Sequence, residues 1–142
     1  MRILALDHGS ARCGCAVCDP TETIVRPLAA IAKPDSGPGQ EALTALVESE
    51  SIELVLIGLP RLPSGEEGAQ AAAARSFAGR LGAKIRASRP QLPVELYDER
   101  FTTRMAQASI HEGASASEDS LAAAHLLEEF IAQRRKTPPN EQ

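Results

Sequence analysis

Residues 3–6, Ile3-Leu4-Ala5-Leu6, are apolar at both alternating positions of an extended chain, with Ile3 and Ala5 on one side and Leu4 and Leu6 on the other. Successive side chains of a strand point to opposite faces, so this segment belongs at the centre of a sheet with helices covering both sides. The run stops on Asp7, at the strand's C-terminal edge, where a carboxylate needs a partner.

The neighbouring segments extend this strand into an architecture. Residues 2–7, 13–18 and 23–31 read as three consecutive strands, joined by turns at Gly9–Arg12 and Asp19–Glu22, and they form an antiparallel meander. Residues 39–50 read as a helix, and residues 52–60 (IELVLIGLP) as a second buried strand. An alanine-rich helix from about Glu67 to Ala87 carries Phe77, Leu81 and Ile85 at helical spacing, and a strand follows around Val94 to Tyr97. Thr102 or Thr103 can cap a helix near 103–111, and a last helix runs from Ser117–Asp119 to about Gln133. Strands alternating with helices in the second half imply parallel crossovers. The expected fold is α/β: a mixed five-stranded sheet, three antiparallel strands plus parallel ones, flanked by helices. Residues 1–134 read as one domain, and residues 135–142 as a polar, proline-containing tail without fixed structure.

Composition narrows the function classes. Aromatic residues make up only 3% of the chain, so few rings are present on which bases could stack. The formal charge is −4, yet the stretch 61–110 is locally basic and could present a basic patch. No apolar stretch approaches a membrane span and no signal-peptide pattern opens the chain, so a cytoplasmic location is expected. Cys13, Cys15 and Cys18 lie close together, but a closed zinc site wants a fourth ligand and usually a second pair. They read as small buried hydrophobes on a strand.

Three sets of acids fall at comparable places. Asp7 ends the first strand, Asp98 and Glu99 follow the strand PVELY, and Asp119 starts the last helix. Counting three and four residues on from Asp119 gives Ala122, Ala123, Leu126, Leu127, Phe130 and Ile131, an apolar stripe that Asp119 is expected to head. Carboxylates gathered at the C-terminal ends of strands raise one another's pKa unless a cation neutralises them. An Asp/Glu/Asp set without a histidine ligand favours Mg²⁺ or Mn²⁺, ions that can activate water at a phosphodiester. For Asp119 alone, a helix N-cap is the competing reading.

Four blocks then carry a family resemblance: DHGSARCGCAVCD (7–19), LIGLPRLPSGEEG (56–68), DERFTT (98–103) and DSLAA (119–123). In this order, over residues 2 to about 132, they resemble the YqgF family, whose members are described as Holliday-junction resolvases or as nucleases maturing the precursor of small-subunit ribosomal RNA. The resemblance implies a ribonuclease H-like fold. It also implies that Asp7, Glu99 and Asp119 are the catalytic, metal-binding carboxylates, and it alone prefers Glu99 over Asp98. The implied partner is nucleic acid, pre-rRNA or branched DNA, acted on by a monomer or homodimer. Processing of the 5′ end of pre-16S rRNA is the favoured role. Junction resolution is the alternative, because it needs a symmetric dimer and nothing in the sequence marks a dimer face.

Other motif residues have physical readings of their own. Arg12 and Arg100 lie where they could contact phosphate, with structural ion pairs as the competing role, and Arg61 could reach nucleic acid from a Gly/Pro-punctuated loop that would look similar as a mere connection. Gly9 and Gly14 permit close backbone approach, with Gly14 read more simply as a hairpin-turn residue. His8 and His125 read as structural or solvated. Arg75, Arg80, Lys84, Arg86 and Arg89 could track phosphates or merely keep a helix soluble. The chain departs from the family at GASASED (113–119), where relatives carry basic residues and Glu118 adds negative charge. That departure motivates a rival reading as a non-catalytic nucleic-acid-binding module. An actin-like ATPase shares the Asp-X-Gly start but needs two lobes, more than 142 residues supply.

Overall fold

The computed structural model describes residues 1–98 and 118–136. Among these described residues are five strands and three helices: β1 (Ile3–His8), β2 (Arg12–Cys18), β3 (Val25–Ala32), α1 (Gly37–Ser49), β4 (Leu54–Leu59), α2 (Ala69–Ser88), β5 (Val94–Asp98) and α3 (Glu118–Lys136). The strands form one sheet in the order β3-β2-β1-β4-β5. β1 pairs antiparallel with β2, and β2 with β3, while β1–β4 and β4–β5 are parallel. The expected helix at 103–111 lies outside the described residues.

β1 is central, as its two apolar faces require. Leu4 and Leu6 pack with Cys13, Cys15, Val17 and Ile57 beneath α1 and α2, where Leu43, Phe77 and Leu81 close the layer. Ile3 and Ala5 face the opposite way and pack with Ala16, Cys18 and Leu56 against Ala123, Leu126 and Leu127 of α3. The three cysteines are buried and free, divided between these two layers as the strand alternates. They serve as core side chains. A hydrogen bond with Cys15 and then burial raise the thiol pKa of Cys13, and burial raises that of Cys18, so neither is poised as a thiolate ligand or nucleophile.

Two features of the helices depart from expectation. The α3 helix continues through Lys136, two residues into the segment expected to lack structure. Its last turn is anchored by Arg134 Nη1 3.1 Å from Glu22 Oε1 and by Arg135, which donates to the Glu22 carbonyl at 2.7 Å. Basic residues at a helix C-terminus also suit the dipole. On α2, most of the cations considered for phosphate tracking are paired with acids. Arg80 meets Asp35, Lys84 meets Glu41 at 2.8 Å, and Arg89 meets Glu48 at 3.0 Å, tying α2 to α1 and the loop before it. Arg75 makes a two-pronged pair with Glu67. These exposed pairs each contribute little stability, but they occupy the charges.

Candidate nuclease site

The site is assembled over a glycine. Asp7 lies opposite Gly14 in the β1–β2 ladder, on the face that Ile3 and Ala5 turn toward α3. Gly14 is a strand residue of β2, not the turn residue expected from sequence. A Cβ built there would lie 1.9 Å from the Asp119 carbonyl oxygen and 2.9 Å from the Ser120 nitrogen, so the first turn of α3 rests directly on its backbone. The β2–β3 register slips at this point, between Cys13 and Cys15. The Cys15 N–H donates to Ser120 Oγ at 3.1 Å, and Ser120 is fully buried. A hydroxyl from the helix thus fills a place in the strand's hydrogen bonding and fixes where α3 begins.

Ser120 is fully buried at the head of α3, whose buried stripe continues through Ala123, Ala124, Leu126, Leu127 and Ile131, and Asp119 sits at its edge. The Asp119 side chain is 41% exposed beside it, which frees its carboxylate to face the end of β1. Ser120 was identifiable in principle, since Ala123, Ala124 and Leu127 follow it at three, four and seven residues. A serine's polarity disguised the period. Replacing it with alanine strands the Cys15 N–H in a dry contact, so Ser120→Ala is expected to cost about 2 kcal/mol in urea unfolding. Exchange of the Cys15 amide hydrogen should accelerate in step.

The electrostatics follow from this convergence. The Asp7 carboxyl is pushed up to about 6, first by burial and then by the charge on Asp119, with His8 opposing weakly. Arg12, on the hairpin strand next door, places Nε 2.8 Å from Asp119 Oδ2, and both side chains are exposed. His8 projects to the other face: its Nε2 lies 2.8 Å from Asp35 Oδ2 and its ring stacks on Phe77 with centroids 4.5 Å apart. It has the structural role expected of it.

The other sequence candidates are placed less completely. Asp98 ends β5 level with Leu59 of β4, and Arg61 Nε lies 3.4 Å from its carboxylate. Arg61 also reaches Glu67 at 3.5 Å and donates to the Gly65 carbonyl at 3.4 Å, so the loop after β4 holds it between acids. Glu99 and Arg100 lie outside the described residues. Among the described residues, no cluster of three or more potential metal-ligating side chains occurs; Asp7 and Asp119 are the pair brought together. His125 lies 3.5 Å from Glu128 on α3.

The chain superposes on solved proteins in complex with Holliday junctions. Thermus thermophilus RuvC in complex with a Holliday junction substrate superposes with a TM-score of 0.58 at 17% identity, covering 94% of this chain and 95% of that one. The fowlpox virus resolvase, solved with Holliday junction DNA, gives 0.58 at 10% identity over 94% and 98%. The fold is therefore ribonuclease H-like. The family model described as RuvX, Holliday junction resolvase, matches residues 1–133, and the chain belongs to this family. A relative from Rubrobacter xylanophilus is 39% identical over 92% of this chain and 91% of its own, and one from Synechococcus elongatus is 34% identical over 94% and 90%. Both are provisionally named pre-16S rRNA nuclease. No helix among the described residues is long and apolar enough to cross a membrane.

Proposed function

We propose that this chain is a divalent-metal-dependent nuclease of the cytoplasm that hydrolyses phosphodiester bonds and processes the 5′ end of pre-16S rRNA. The observation carrying the chemistry is the meeting of Asp7 and Asp119 over Gly14, close enough for one charge to raise the other's pKa. Family membership and the names of the relatives support the substrate.

The donor chemistry fits Mg²⁺ or Mn²⁺. Asp7 and Asp119 offer hard oxygen atoms and excess negative charge, while Cys13 and Cys15 are buried in the opposite layer. Asp7, Glu99 and Asp119 would hold the ion, which when bound supplies activation of water and neutralisation of charge at the phosphodiester. Asp7 does this only when ionised, so its raised pKa sets the lower pH limit of the site. The start of α3 holds Asp119 in place through Ser120. Arg12, already beside Asp119, is positioned to meet an incoming phosphate, with Arg61 and Arg100 as further phosphate contacts.

Junction resolution is the second reading, favoured by the description of the family model. Precursor rRNA and four-way DNA junctions should be offered side by side to the wild type and to Asp7→Asn with Mg²⁺ or Mn²⁺. Cleavage of the RNA near the mature 5′ end, absent in the variant, is expected. Faster symmetric cleavage of the junction would assign resolution instead. A wild type that binds neither ion would turn the chain into a non-catalytic nucleic-acid-binding module.

A further inference from the structure

We infer that the open hollow beside Asp7, between the ends of β1 and β4 and the first turn of α2, is a nucleobase subsite in which the Gln70 amide reads a nucleotide flanking the scissile phosphate. The inference rests on the nuclease reading and deepens it by locating base selectivity, which no charge-based contact supplies.

The hollow has a volume of about 440 Å³ and is continuous with Asp7. That is room for a base with its sugar. Ala69 and Ala73, one turn apart on α2, leave only methyl groups in it, and Pro60 adds an apolar wall. Among the described residues no lysine or arginine lines it, and Asp7 is the one acid. An uncharged base or ribose therefore suits the space better than backbone phosphate does. His8 also borders the hollow, but its Nε2 is held by Asp35. The polar groups left to recognise a ligand are the Ser10 hydroxyl and the exposed Gln70 amide, neither of which has a hydrogen-bond partner among the described residues. A primary amide offers a donor and an acceptor side by side, the pattern that pairs bidentately with a base edge. Gln70 sits in the first turn of a 20-residue helix, which fixes its backbone relative to Asp7. Among the described residues no aromatic ring of Phe, Tyr or Trp lines the space, which favours recognition by edge over stacking.

The test uses RNA and junction substrates randomised at the nucleotides flanking the cleavage position, with products sequenced. Wild type should prefer one base over the worst by roughly tenfold at a single position. Gln70→Ala should flatten that preference at that position. Gln70→Glu, which keeps acceptors and loses donors, should move the preference toward bases bearing an amino group. Ala73→Leu, filling the hollow, should raise KM by about tenfold. A wild type without preference, or a preference that survives Gln70→Ala, overturns the inference. If wild type cleaves neither substrate, the nuclease reading fails first. The subsite is then judged by the Gln70 side-chain amide resonance in titrations with each of the four nucleoside 5′-monophosphates. A base-selective shift lost in Ala73→Leu upholds it, and a uniform or absent shift overturns it.

Discussion

Asp7→Asn is expected to abolish metal-dependent cleavage, by about a thousandfold, while making the metal-free protein more stable at neutral pH. The two effects share one cause. Folding pushes the Asp7 carboxyl up to about 6, because burial and the Asp119 charge both disfavour its ionised form. The folded state therefore holds a proton on Asp7 between roughly pH 4 and pH 6 that the unfolded chain has already released. Stability falls as pH rises through that window, and at pH 7 to 8 the ionised group is a net burden of about 3 kcal/mol. Asparagine keeps the shape and removes the charge. Its melting temperature should exceed that of wild type by about 6 °C at pH 8, and the gap should close toward pH 4. Saturating Mn²⁺ should reverse the order, stabilising wild type and leaving Asp7→Asn unmoved. A variant no more stable than wild type at pH 8 in the absence of metal would show that Asp7 and Asp119 do not burden each other as their placement implies.

What could be read from the sequence, and what could not, divides along the range of the interactions. The apolar alternation of Ile3 to Leu6 placed β1 at the sheet centre, because both-face burial is a local property of the strand. Asp7 was legible as the acid ending that strand, and Asp119 as an acid at a helix start. Their meeting was expected from the set of acids and from the resemblance, but how it is built was not legible. It depends on Gly14, whose missing side chain says that something passes close without saying which element does. The same limit applies to α2: its arginines and lysine are visible in sequence, but their partners Asp35, Glu41 and Glu48 come from α1 and the loop before it. Ser120 was overlooked because a buried hydroxyl looks like a solvent residue until the strand N–H it satisfies is known. Arg61 was read from its loop as a nucleic-acid contact, and its ion pairs with Asp98 and Glu67 were not legible there. The resemblance alone distinguished Glu99 from Asp98, and no local period could have done so.

Gly14→Ala is the sharpest trial of how the site is built. The added methyl carbon would stand 1.9 Å from the Asp119 carbonyl oxygen and 2.4 Å from its carbon, both backbone atoms of the first turn of α3. Backbone cannot rotate aside as a side chain end could, so the helix must withdraw by about 1 Å or more, or its first turn must unwind. Withdrawal would stretch the bond from the Cys15 N–H to Ser120 and loosen Ala123 and Leu127 from the sheet. The expected loss is about 3 kcal/mol or more in urea unfolding. In the fraction that folds, Asp119 stands farther from Asp7, so the Asp7 pKa should fall below its wild-type position when followed by carboxyl NMR. Cleavage should drop by about a hundredfold even though no proposed ligand has been altered. Gly79→Ala provides the contrast, because among the described residues nothing beyond its chain neighbours and its own helix backbone lies within 4 Å of the carbon it adds in α2. Removing a glycine from an exposed helix interior should stabilise by about 0.5–1 kcal/mol with cleavage unchanged. The same chemical change then has opposite signs at the two positions, and only the seating of α3 on β2 accounts for the difference.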